Sequence, residues 1–158
     1  PIRFMMLNRS NDVEIDFDFD KVKEKTKDNH VFYVQYAYAR INSLLRTLNT
    51  SFVKKIGFNE IDFKLNYMEE KIIRKIFEWP KIIESASRKF DLHKIPFYLY
   101  ELSTLFHVYW SKGNEDKKYK FIENKKIKRK EILAIINLVA IVIKNGMGIL
   151  DVSLPKKM

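Results

Sequence analysis

Val31, Val34, Tyr38, Ile41, Leu45 and Leu48 recur at alternating spacings of three and four, with no Gly or Pro between them. That period puts them on one face of a helix over 31–48. Ile95, Leu99, Leu102, Phe106 and Tyr109 repeat in the same way around Pro96, a residue suited to a first turn, and predict a second long helix over 95–112. Between the two, Asn66 and Glu69 have the form of a capping box ahead of Met68, Ile72, Ile76 and Trp79 at helical spacing. Pro80 lacks an N–H and restricts Trp79. It is therefore expected to end that helix or open another, a short one burying Ile82, Ile83, Ala86 and Phe90. Residues 131–145 are apolar on nearly every side, which predicts a central bundle helix ended by a left-handed Gly146.

The N-terminal part follows a different rule. Acids at 12, 14, 16, 18 and 20 alternate with Val13, Ile15, Phe17 and Phe19, a period of two that fits an extended segment with one buried face. Asp20 can cap a short helix over 21–27. As a calcium loop starting at Asp16, the run has Lys21 where Gly is required and Lys27 where Glu is required, so it fails. Residues 49–63 read as a long connection. The expected fold class is an all-α helical bundle preceded by a short extended segment.

Composition narrows the setting. A chain of 158 residues that is 46% hydrophobic can bury roughly 70% of its unfolded surface, so one main domain needs no disulfide or metal. It has no Cys, which excludes a thiol nucleophile and a zinc-thiolate site and makes the cytoplasm the expected compartment. The longest apolar run, 132–143, is interrupted by Asn137 and too short to span a bilayer, so no membrane partner is expected. The net charge of +10 invites a nucleic-acid reading, yet 23 Lys against 7 Arg beside much Ile, Asn and Phe is also what an adenine- and thymine-rich coding sequence produces. The charge is local: residues 117–130 hold eight basic side chains against Glu123 alone. Lys125, Lys126, Lys128 and Arg129 there are candidate phosphate contacts, and a solvated loop is the plainer account.

Candidate chemistry lies on the two long helices. Tyr36, Arg40, Ser43 and Thr47 share a face beside the apolar stripe, where a ring and a guanidinium one turn apart could receive a partner together. An Arg at the core margin with a half-buried Tyr beside it fits the same pattern. Tyr98, Tyr100, His107 and Trp110 flank the second stripe with more ring surface than packing usually requires, although core packing accounts for such rings as well. His30, His93 and His107 are too scattered for a metal set, and no phosphate-binding Gly-rich loop or nucleophile elbow is present. The acids Glu69–Glu70 and Asp18–Asp20 read as caps and surface acids. No catalytic residue and no metal are expected.

Four stretches in order carry a resemblance. IRFMMLNRS with DFDFD, VFYVQYAYARI, YLYELSTLFHVYW and the closing GMGILDVSLPKKM resemble the C-terminal part of arginyl-tRNA synthetases. The sequence departs from that family's usual form in having Asn29-His30 for Asn-Pro, Tyr38 for His, Asp151 for Gly, and Lys156-Lys157 for an acid-base pair. The resemblance implies the end of a class I catalytic core over 1–28 and a DALR-type helical anticodon-binding domain over 29–158. It implies that Tyr36, Arg40, Phe106, His107, Trp110 and Met158 meet the anticodon loop of arginine tRNA. Splayed single-stranded bases can stack on aromatic and guanidinium planes, each stack being worth about 1–3 kcal/mol. It further implies a monomeric parent enzyme that joins arginine to its tRNA with ATP and Mg held outside this chain, whose other partner is its own catalytic domain. A general RNA-binding helical module and a structural protein-interaction bundle are the alternatives.

Overall fold

The structure, a computed structural model, describes residues 2–9, 18, 20, 24, 26, 28–48 and 64–158. All but two positions of the expected extended run over 12–20, all but two of the expected helix over 21–27, and the whole connection over 49–63 lie outside these residues. Helix α1 spans Ile2–Leu7, α2 His30–Thr47, α3 Tyr67–Lys89, α4 Lys94–Glu115 and α5 Lys130–Ile149. A 3₁₀ turn at Lys117–Tyr119 and a two-stranded ribbon, β1 Ile122–Glu123 with β2 Lys126–Ile127, join α4 to α5. The all-α bundle expected from the hydrophobic pattern is what the chain forms.

Both stripes face inward as their periods require. Val31, Val34, Tyr38, Ile41 and Leu45 of α2 are buried, as are Ile95, Leu99, Leu102, Phe106 and Tyr109 of α4. Asn29 starts α2 by accepting from the Phe32 amide, and Asn66 with Glu69 forms the complete capping box that starts α3. Helix α5 is central, packing on α2, α3 and α4. By length and composition alone it could cross a membrane, but 61% of its most apolar window is buried within the bundle.

Two expectations about helix ends are corrected. Helix α3 runs through Pro80 as one element of 23 residues. Packing outweighs the missing hydrogen bond: Trp79 lies against Tyr98 of α4, with ring centroids 5.1 Å apart, and Ala86 is buried beyond the proline. Phe90, expected inside, is 78% exposed and ends the helix in a left-handed conformation at φ 55°. Gly146 does not end α5 either. A Cβ there would come within 2.8 Å of both Leu99 methyl carbons, so glycine permits the close approach of α5 to α4.

The helix end is formed by Asp151, the residue standing in place of the family's usual Gly, at φ 51°. The Val152 amide donates to the Met147 carbonyl and the Asp151 amide to the Gly148 carbonyl. Val152 and Met147 are both buried, which completes a Schellman closure. That turn sends the C-terminal tail back across α2.

Candidate nucleic-acid interface

Arg40 stands at the centre of the candidate site because α2 and α4 pack side by side with their aromatic flanks in contact. Its Nη2 donates to the Tyr36 hydroxyl at 2.5 Å, and its guanidinium carbon lies 4.4 Å from the Tyr36 ring centroid and 5.0 Å from that of Trp110. Nη1 is 3.3 Å from His107 Nδ1. Two rings and a guanidinium thus form one half-buried platform, held from beneath by an imidazole.

Open depressions flank this platform. One, of about 530 Å³, is lined by Tyr36, Arg40, Ser43, Thr47, Trp110 and Met158, among others. The other, of about 600 Å³, has Phe32, Tyr33, Tyr36, Arg40, His107 and Lys112 in its wall. Tyr36 and Arg40 line both, so each depression offers a flat face and hydrogen-bond donors on the same wall. That combination suits a planar, polar-edged group such as a nucleobase.

Met158 reaches the first depression because α2 holds the tail. Gln35 Nε2 donates to the Ser153 carbonyl at 2.8 Å and Arg46 Nη1 to the Lys156 carbonyl at 3.0 Å. Neither anchor was singled out by the sequence, since each bonds a main-chain carbonyl more than a hundred residues away. Phe32 and Tyr33 were missed as well; Phe32 stacks on Tyr36, one turn along α2, and the i,i+4 spacing was the available signal.

Phe106 and His107 are placed differently from Tyr36, Arg40 and Trp110. Phe106 is 1% exposed, its ring packed against Trp110 and Phe121, so it supports the platform and presents no face to a ligand. This corrects the expectation that it lies beside a base, and the reason is its place in the inward-facing stripe of α4. His107 is likewise buried, beneath Arg40. Trp110 is partly buried, with Phe121 edge-on to it at 5.4 Å.

The basic segment also divides. Asn124 and Lys125 adopt φ 51° and 59°, the backbone of a tight two-residue turn, and leave Lys125 and Lys126 exposed at the ribbon tip. Ile122 of the same ribbon lines the first depression, so these charges flank it. Lys128 Nζ donates to the Lys117 carbonyl and closes the loop. Arg129, expected as a candidate phosphate contact, also has a structural task. It pairs with Glu69, whose side chain is wholly buried, and donates to the Lys64 carbonyl. Glu69 Oε1 also accepts from the Tyr109 hydroxyl at 2.5 Å, and burial, followed by this carboxylate, pushes the Tyr109 phenol well above its ordinary value.

Comparison with known proteins follows the same geometry. Residues 34–158 match the family described as the DALR anticodon binding domain. The arginine–tRNA ligase of Pelagibacter ubique is 49% identical over 156 residues, covering 99% of this chain and 27% of the ligase. That of Rhizobium meliloti is 38% identical, covering 100% of this chain and 28% of the ligase. The chain therefore spans little more than a quarter of the curated relatives it matches. Among solved structures, a Campylobacter jejuni protein superposes with a TM-score of 0.82 at 24% identity, over 99% of this chain and 33% of that one. The Thermus thermophilus arginyl-tRNA synthetase gives 0.72 at 20% identity, over 99% and 26%. These two likenesses concern the fold.

Proposed function

The chain belongs to the DALR anticodon binding domain family, and from that membership we propose that it holds the anticodon loop of arginine tRNA as the C-terminal part of an arginine–tRNA ligase. The observation that carries this reading is the Tyr36–Arg40–Trp110 platform between two open depressions. Anticodon bases are unpaired and can turn outward, so one base can stack on each side of the platform while side-chain and tail groups meet its edges. Lys125 and Lys126 on the ribbon face the phosphates of the same loop and set position without reading sequence. The whole ligase would work as a cytoplasmic monomer, joining arginine to the tRNA end that this grip directs to its catalytic domain. ATP and magnesium would belong to that other part.

The test is binding of this chain, at one salt concentration, to arginine tRNA and to the same tRNA with its middle anticodon base replaced. A clear loss with the altered base supports anticodon reading within the chain. Equal affinity for both means general RNA binding through the backbone, and binding of neither points to a structural bundle.

A further inference from the structure

His107 is 6% exposed, and its two ring nitrogens face partners with opposite demands. The Tyr33 carbonyl oxygen, 3.3 Å from Nε2, can only accept. The Arg40 guanidinium, 3.3 Å from Nδ1, can only donate. One state satisfies both: a neutral ring with its proton on Nε2. The ring is held in that orientation by Tyr36, stacked at 5.4 Å and 20°, and by Tyr33 at 4.4 Å. Proton uptake at Nδ1 would turn an N–H toward the guanidinium and set two positive charges against each other.

Other ionisable groups stand around this pair. From α2 come the Tyr33 and Tyr36 phenols with Arg40 itself, and from α4 come Lys112 and Glu115, which line the same depression. Tyr100 stands beside Tyr33. Arg40 is a charge within hydrogen-bonding distance of the ring, so the neutral ring is the state that can hold it.

We propose that His107 is a positioning residue for anticodon binding: as the neutral Nε2–H tautomer it clamps Arg40 into the platform. The proposal rests on the anticodon reading above and deepens it. It makes His107 act through Arg40 without touching RNA.

The experiment measures affinity for an arginine-tRNA anticodon stem-loop at fixed salt and neutral pH for the wild-type chain, His107→Gln and His107→Phe, each first shown to be folded by its thermal melt. A charge-assisted hydrogen bond corresponds to roughly tenfold in affinity. His107→Gln has an amide that can accept from Arg40 and donate to the carbonyl, and it should bind near the wild-type level. His107→Phe, which keeps a ring but not the bonds, should stay folded and bind more weakly by about that factor. A folded Phe variant that binds like the wild type, or a Gln variant as weak as the Phe variant, overturns the clamp. A wild type that binds no tRNA at neutral pH defeats the functional reading instead. The clamp is then judged on the free chain by ring nitrogen NMR shifts, where a Nδ1–H tautomer at neutral pH would overturn it and a Nε2–H tautomer would uphold it.

Discussion

Arg129 and Lys125 stand four residues apart in one basic run, yet their surroundings give them opposite tasks. Arg129 neutralises Glu69, a carboxylate with no exposed side-chain surface. Removing one partner of such a pair leaves a buried charge without compensation. Arg129→Ala should therefore lower the unfolding free energy by about 3 kcal/mol, the lower end of the range for buried pairs because Arg129 itself is partly open to solvent. Chemical denaturation checks this, and any loss of RNA binding should follow the loss of folded chain. Residue types along the run could not separate the two roles, because the carboxylate that decides them lies sixty positions earlier. Phe106 and Trp110 are different: spacing put Phe106 in the inward stripe and Trp110 on its flank, and in the structure Phe106 is buried while Trp110 stays partly open.

At the scale of elements, two glycines two positions apart on α5 should respond in opposite directions. Gly146 faces the Leu99 methyls, so Gly146→Ala overpacks the contact with α4 and should destabilise by about 1–3 kcal/mol. Gly148 has nothing within 4 Å of an added Cβ and an ordinary negative φ. Gly148→Ala should stabilise by about 0.5–1 kcal/mol through helix propensity, and thermal melts of both variants check the pair. The ribbon offers a prediction of another kind. Lys125→Ala and Lys126→Ala should each leave stability within about 0.5 kcal/mol of wild type while reducing the slope of log affinity against log salt by about one, as read from RNA titrations at several salt concentrations.

The molecule as a whole joins α1 to the bundle through a contact that titrates. Asn8 Nδ2 is 2.7 Å from His30 Nδ1, and the His30 ring stacks on Tyr100 at 4.0 Å. Burial lowers the His30 pKa below its ordinary value, with Asp28 opposing. Between the folded value and the unfolded value of about 6.5, the unfolded chain holds more protons. Stability from this group is thus fully present above about pH 6.5 and is lost as pH falls through that value toward the folded one. Thermal midpoints measured across this range should fall with acid, and His30→Gln, which cannot titrate, should flatten the fall.

Hydrophobic periodicity determined the helical class, the faces that α2, α4 and α5 bury, and the capping box of α3, because these depend on neighbours within a turn or two. Tyr36 and Arg40 could be grouped for the same reason. What tertiary structure alone decided are the features created by distant segments meeting. Helix α3 continues through Pro80 because α4 and α5 hold both halves in line, and glycine at 146 serves a helix contact instead of a stop. Met158 reaches Arg40 because side chains of α2 bind the main chain of the tail. Local patterns encode which face a helix turns inward; which side chain then becomes platform, support or ion-pair partner depends on what the rest of the chain packs beside it.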